Sequence, residues 1–120
     1  MSRKILVADD NAASRELIRE VLEMSGYDVM EAADGVDAVH LAREGAPDLV
    51  LVDIQMPRLD GYGVLRELRA DARFSGLRVV ALTAFAMQGD REQALDAGFD
   101  GYITKPVEIV ALRQEIRKFL

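Results

Sequence analysis

The 120-residue chain contains no cysteine. That absence excludes disulfides, thiolate metal sites and cysteine nucleophiles, and it suits a reducing compartment. Long hydrophobic runs are missing too. The longest fall far below membrane-spanning length, and Met1-Ser2-Arg3-Lys4 leads into a short strand-like run in place of a signal-peptide core. A soluble, cytoplasmic protein is expected, with no membrane partner. Basic charge is not in excess: fifteen Lys and Arg are scattered among twenty-one Asp and Glu, a net charge of −6. This argues against nucleic acid, whose phosphates need basic patches, and points to a protein partner or a small ligand. Glycine and proline are modest, no segment is low in complexity, and half of the residues are hydrophobic. A packed core is therefore expected, and the length suits one domain, residues 1–120.

What the chain does have is a regular alternation. The apolar run 5–8 ends at Asp9-Asp10-Asn11, and residues 14–25 then place Leu17, Ile18, Val21 and Leu22 on one helix face before Gly26 stops it. The pattern recurs with strands predicted over 27–31, 48–52, 77–82 and 101–104. Helices are predicted over 35–44, 61–71, 88–97 and 107–119, with inward sets such as Val36, Val39, Leu41 and Ala42, or Ile109, Leu112, Ile116 and Phe119. Strands that read as continuous apolar runs are buried on both faces, and strands alternating with helices form right-handed crossovers. The expected fold is α/β: a (βα)5, doubly wound, five-stranded parallel sheet in three layers.

Polar residues gather at strand ends. Asp9 and Asp10 follow the first strand, Asp53 closes the third, Thr83 follows the fourth and Lys105 the fifth. In an open parallel sheet the carboxyl ends of the strands share one edge, and ligands bind there. Two unit charges about 5 Å apart repel by about 3 kcal/mol at an effective dielectric of about 20. Three neighbouring carboxylates must therefore take up a proton or hold a cation. An all-oxygen cluster suits Mg2+, which uses one or two carboxylates and leaves room for phosphate.

Each residue taken singly has an ordinary explanation. Asp9 or Asp10 would serve as a helix N-cap, Asp53 as a turn acid, Thr83 as a cap and Lys105-Pro106 as a solvated turn. Jointly they carry more. The segments "ILVADDN", "DLVLVDIQMPRLDG", "VVALTA" and "GYITKP" occur in order across essentially the whole chain, and together they resemble the receiver domain of two-component response regulators, the CheY-like fold. The stretch "TAFAMQGD" resembles stand-alone receivers of the DivK type and the receivers of hybrid kinases.

The resemblance implies strand order 2-1-3-4-5 and a set of roles. Asp53 would be the phosphoacceptor for a phosphohistidine on a sensor histidine kinase or histidine phosphotransferase. Asp10, Asp53 and the main-chain carbonyl of Gln55 would hold Mg2+, with Asp9 acting through water. The Thr83 hydroxyl, the Ala84 backbone N–H and Lys105 would contact the phosphoryl oxygens. Thr83 and Tyr102 would form the switch, Tyr102 turning inward on phosphorylation. Such a protein is a signalling switch, an enzyme only toward its own phosphorylation and dephosphorylation. Phe85 and Gln55 would flank the phosphoryl group, and an apolar ring there predicts slow self-dephosphorylation. The Lys105-Pro106 bond would be cis.

His40, mid-helix, is expected at the surface. The helix over 88–97 offers Ala94, Leu95 and Ala97 as its apolar contacts, fewer than any other. Output would pass through the face of helix 4, strand 5 and helix 5, around Met87 and Tyr102, to a downstream protein; the chain ends at the fifth helix, which leaves a stand-alone regulator or a piece of a larger one. A monomer or weak dimer is expected. The rival classes are a haloacid dehalogenase-type phosphatase, a docking domain without the chemistry, and a flavodoxin-like flavin module. The first wants D-x-D, but residue 55 is Gln; the complete acid, Thr and Lys set argues against the second, and the third lacks its phosphate loop after strand one.

Overall fold

The apolar runs become adjacent strands of one parallel sheet. In the computed structural model, which describes residues 3–84 and 87–120, the strands are β1 (Lys4–Ala8), β2 (Asp28–Ala32), β3 (Leu49–Asp53), β4 (Arg78–Thr83) and β5 (Gly101–Thr104). Their order is β2-β1-β3-β4-β5, all neighbours parallel. The helices are α1 (Ala12–Met24), α2 (Gly35–Gly45), α3 (Gly61–Arg69), α4 (Gln88–Ala97) and α5 (Ile109–Phe119). The expected doubly wound architecture and strand order are both present. β3, central and buried at every position, reads LVLVD because each residue of a parallel strand meets a helix layer on one side or the other.

Strand side chains alternate between faces, and the two cores follow that period. Ile5, Val7, Leu49, Leu51, Val80, Leu82 and Ile103 pack with Ile18, Leu22, Leu112 and Ile116 of α1 and α5. Leu6, Ala8, Val50, Val52, Val79, Ala81 and Tyr102 pack with α2, α3 and Ala94 of α4. Helix starts are fixed by side-chain caps. Asn11 accepts from Ser14 N–H at 3.0 Å, Asp34 from Asp37 N–H at 2.9 Å and Asp60 from Gly63 N–H at 2.8 Å. Among the described residues, the N-caps of α4 and α5, Met87 and Glu108, make no side-chain cap bond.

Several expectations need correction. Leu17, Val36 and Ile109 point outward, at 43%, 41% and 45% exposed, and Leu41 is only half-buried. The stripe that touches a sheet is narrower than the apolar set, so residues at its rim stay wet. α5 begins at Ile109, two residues later than predicted, because Glu108 is its extended N-cap; Val107 packs against the core from outside the helix. α3 ends at Arg69 rather than at residue 71, and a 3-10 turn follows at Ala72–Phe74, started by the Asp71 carboxylate accepting from Arg73 N–H at 3.0 Å. On α4, Leu95 and Ala97 are exposed, leaving Ala94 as the buried apolar contact among the described side chains of that helix. His40 is at the surface as expected, its Nε2 3.3 Å from Glu44. No helix among the described residues is long and apolar enough to cross a membrane.

Candidate acidic site at the carboxyl edge of the sheet

Strand register decides which strand-end residues meet. Ala8 pairs with Val52 and Asp53 with Leu82, so Asp9 stands level with Asp53 at the carboxyl edge. Thr83 pairs with Thr104, and Lys105 comes next. The two-residue alternation then sorts them by face. Asp9, Asp53 and Lys105 share the face of Val7, Leu51 and Ile103, whereas Thr83 and Tyr102 share the opposite one, beneath α4.

The first group forms a buried ion cluster. Lys105 Nζ lies 2.5 Å from Asp53 Oδ2 and 2.7 Å from Asp9 Oδ2, with Asp9 wholly buried and Asp53 6% exposed. Asp10, one residue beyond Asp9, is exposed, yet one oxygen each of Asp9, Asp10 and Asp53 lies within 4.8 Å of the others. Two charges leave water at β1 and β3, and the Lys105 ammonium is what meets them. Burial pushes the Asp53 carboxyl above the usual carboxylate range, the Asp9 charge adding to it against the pull of Lys105 and Gln55 N–H. Burial opposes the charged form of Lys105, but the hydrogen bond to Asp53 and the charges of Asp53 and Asp9 outweigh it and hold the ammonium above its ordinary range.

The backbone around these acids is tightly specified. Asp9 Oδ1 accepts from Asn11 N–H at 2.9 Å and Asp53 Oδ1 from Gln55 N–H at 2.9 Å. Asn11, not Asp9 or Asp10, caps α1, so neither acid is consumed by the helix start. Gly61 sits where a Cβ would lie 2.8 Å from the Asp53 carbonyl oxygen and 2.7 Å from Ile54 Cα; only glycine lets α3 start so close to β3. Gln55 is exposed at the site's rim. The Lys105-Pro106 peptide is cis, as the resemblance implied.

Thr83 and Tyr102 form the second group. Both are buried, at 1% and 8% exposed, and their hydroxyls are hydrogen-bonded. Tyr102 is thus already turned inward, and the surface it was expected to share with Met87 is carried by Met87 alone of the two, at 74% exposed. Burial raises the Tyr102 phenol, and the charge of Asp90 on α4 adds to this. Ala84 is exposed beside Thr83. Phe85, assigned a flanking role from the sequence, lies outside the described residues.

One supporting residue escaped the sequence reading. Arg15 donates to the Asp9 carbonyl at 2.7 Å and to Glu31 of β2 at 3.2 Å, and Arg19 bonds the same glutamate at 3.1 Å. Its signal was an arginine one turn into the helix after an acid pair, which in isolation reads as a solvated position.

Fold and site together define a class: an open α/β domain whose topological switch edge carries a carboxylate cluster, a lysine and a threonine. The response regulator receiver domain model matches residues 5–117, and the chain belongs to that family. It has the phosphoacceptor role of receivers in two-component signalling. The polar-differentiation response regulator DivK of Brucella ovis is 37% identical over 120 residues, covering 100% of this chain and 98% of that protein. The receiver domain of sensor histidine kinase PA1611 from Pseudomonas aeruginosa PAO1, solved with a magnesium ion coordinated in its active site cleft, is 37% identical with a TM-score of 0.90, covering 99% of this chain and 98% of that one. The chemotaxis response regulator CheY4 of Vibrio cholerae shares the fold at TM-score 0.94 and 24% identity, over the full length of both chains.

Proposed function

We propose that Asp53 is the phosphoacceptor of a single receiver domain, taking the phosphoryl group from a phosphohistidine of a sensor kinase or histidine phosphotransferase. The observation that carries this is the parallel register, which sets Asp53 level with Asp9 at one sheet edge and under the Lys105 ammonium. The donor set suits a hard divalent ion. Three carboxylates converge within 4.8 Å, and buried Asp9 Oδ2, although 2.7 Å from Lys105, accepts no well-directed hydrogen bond. Asp10, Asp53 and the Gln55 carbonyl would hold Mg2+, with Asp9 acting through water. When bound, such an ion neutralises charge on the transferring phosphoryl oxygens.

Asp53 attacks as an ionised carboxylate and needs no general base. Its oxygen bonds to phosphorus as the bond from phosphorus to the donor imidazole nitrogen breaks, and that nitrogen keeps the electron pair. Lys105, already at Asp53, pairs with a phosphoryl oxygen as the carboxylate is consumed. The Thr83 hydroxyl exchanges Tyr102 for another phosphoryl oxygen, and Ala84 N–H donates alongside it. Because Thr83 and Tyr102 lie on the α4 face, that exchange carries the signal to α4, β5 and α5, where a downstream protein docks. The rival phosphatase reading would show as turnover of a small phosphoester. Labelling with acetyl phosphate and Mg2+ tests the assignment: Asp53→Ala should lose incorporation entirely, and undiminished labelling would place the acceptor elsewhere.

A further inference from the structure

The loop from Ile54 to Asp60 carries Gln55 and meets the rest of the fold at a point remote in sequence from β3. Its tip, Pro57-Arg58, is exposed, and Arg58 takes the left-handed conformation with φ +68°. The first residues of α2 hold this tip. Asp34 uses one oxygen to cap α2 through Asp37 N–H at 2.9 Å and the other to accept from Arg58 Nη1 at 3.1 Å. Gly35 is buried and lies so close to the loop that a Cβ there would be 1.8 Å from the Leu59 carbonyl oxygen and 2.6 Å from its carbon; its N–H faces the Pro57 carbonyl at 3.5 Å. The loop's other end closes through Gly61 N–H to the Ile54 carbonyl at 2.9 Å, and its first turn through Gln55 N–H to Asp53 Oδ1 at 2.9 Å.

A continuous set of backbone contacts therefore runs from the start of α2 to the acceptor carboxylate. We infer that Asp34 and Gly35 are positioning residues of the acidic site: by fixing Leu59 and Arg58 they set where the loop presents the Gln55 carbonyl and the Gln55 N–H that orients Asp53. The inference rests on the proposed Mg2+ reading of the site. Neither residue is one of the three converging carboxylates; the effect passes through the Leu59 peptide, against which Gly35 packs. Carbon and oxygen repel steeply inside about 3 Å, so one added methyl at residue 35 forces the Leu59 peptide to shift by more than about 1 Å. Residues that orient metal ligands from outside typically change metal affinity by about 10- to 100-fold when altered.

The test compares wild type, Gly35→Ala, Asp34→Asn and the charge control Asp37→Asn, reading Mg2+ affinity by calorimetry, thermal midpoint, and amide exchange of Gln55 in metal-free protein. Gly35→Ala should weaken Mg2+ binding about tenfold or more and speed exchange at Gln55. Asp34→Asn keeps an acceptor for the α2 cap but loses the charge on Arg58; it should weaken Mg2+ by about two- to fivefold beyond Asp37→Asn, with its midpoint unmoved. A purely structural role predicts the reverse, lowered midpoints with unchanged affinity and unchanged Gln55 exchange, and that result overturns the inference. Should Gly35→Ala not fold, Asp34→Asn against Asp37→Asn decides it. A wild type that takes up no Mg2+ overturns the metal reading, and Gln55 exchange in the metal-free variants then decides the clamp by itself.

Discussion

The two sides of the acid cluster are built to different standards. On one side, the chain from Asp53 to α3 is pinned at Gly35, Asp34 and Gly61, α3 is capped by Asp60, and its Val64, Leu65 and Leu68 are buried. Burying each such side chain is worth about 1.5–3 kcal/mol. On the other side, α4 starts at Met87 with no side-chain cap bond, and Ala94 is its buried apolar residue among those described. Phe99, packed edge-on against Tyr62 with centroids 5.5 Å apart, belongs to the floor beneath α4 and not to the helix. Phosphoryl chemistry needs the first kind of construction, since attack geometry tolerates little error. A signal needs the second, since an element with little apolar burial changes place at low cost.

Amide exchange gives the widest separation. α4 should exchange fastest of the five helices, opening at nearly no free-energy cost, while the α1 and α3 cores exchange only near global unfolding. Protection of α4 equal to that of α1 would erase the contrast. Truncation comes next. Leu65→Ala, at a position 2% exposed, should cost about 2–5 kcal/mol in denaturant unfolding. Leu95→Ala, at 37% exposed, should cost less than about 1 kcal/mol. Equal losses would mean that α4 is held as firmly as α3. A smaller effect should come from repairing α4. Met87 has the extended N-cap geometry, φ −70° and ψ 146°, so Met87→Ser should stabilise the helix by up to about 1 kcal/mol and slow its exchange.

The smallest effect concerns acid. Bonds from the Arg73 side chain and N–H hold the Asp71 carboxyl down at about 2, against the opposing effect of burial. The folded value lies below the unfolded one of about 3.9, so this contribution is fully present above about pH 4 and lost as pH falls through about 2. Asp71 anchors the turn that follows α3, so strong acid should loosen the firm flank slightly. A carboxyl titration of Asp71 centred near 3.9 would show that the Arg73 pair does not hold in solution.

The frame of this molecule was legible because its signals are local. Five apolar runs alternating with helical periods announce a parallel sheet, and the polar residues closing those runs announce its reactive edge. The cap of α1 was not legible, because three consecutive residues, Asp9, Asp10 and Asn11, all have the chemistry of an N-cap; the turn geometry gives the task to Asn11 and leaves the acids for the site. The outward positions of Leu17, Val36 and Ile109 were not legible, since helical period names a stripe and not its contact width. Arg15 was invisible for a related reason: its partners are the Asp9 carbonyl, just past β1, and Glu31 on β2.

Residue order alone determined the α/β class, the chemistry available at the sheet edge, and the inventory of Asp9, Asp10, Asp53, Thr83 and Lys105. Tertiary structure decided how these divide: which acids the lysine neutralises, that Thr83 faces Tyr102 on the other side of the sheet, and that the start of α2 grips the loop after β3. Strand alternation and helical period are set within a few bonds, and so can be read along the chain. Register and close packing are set by contacts between residues tens of positions apart, and only the folded sheet brings those together.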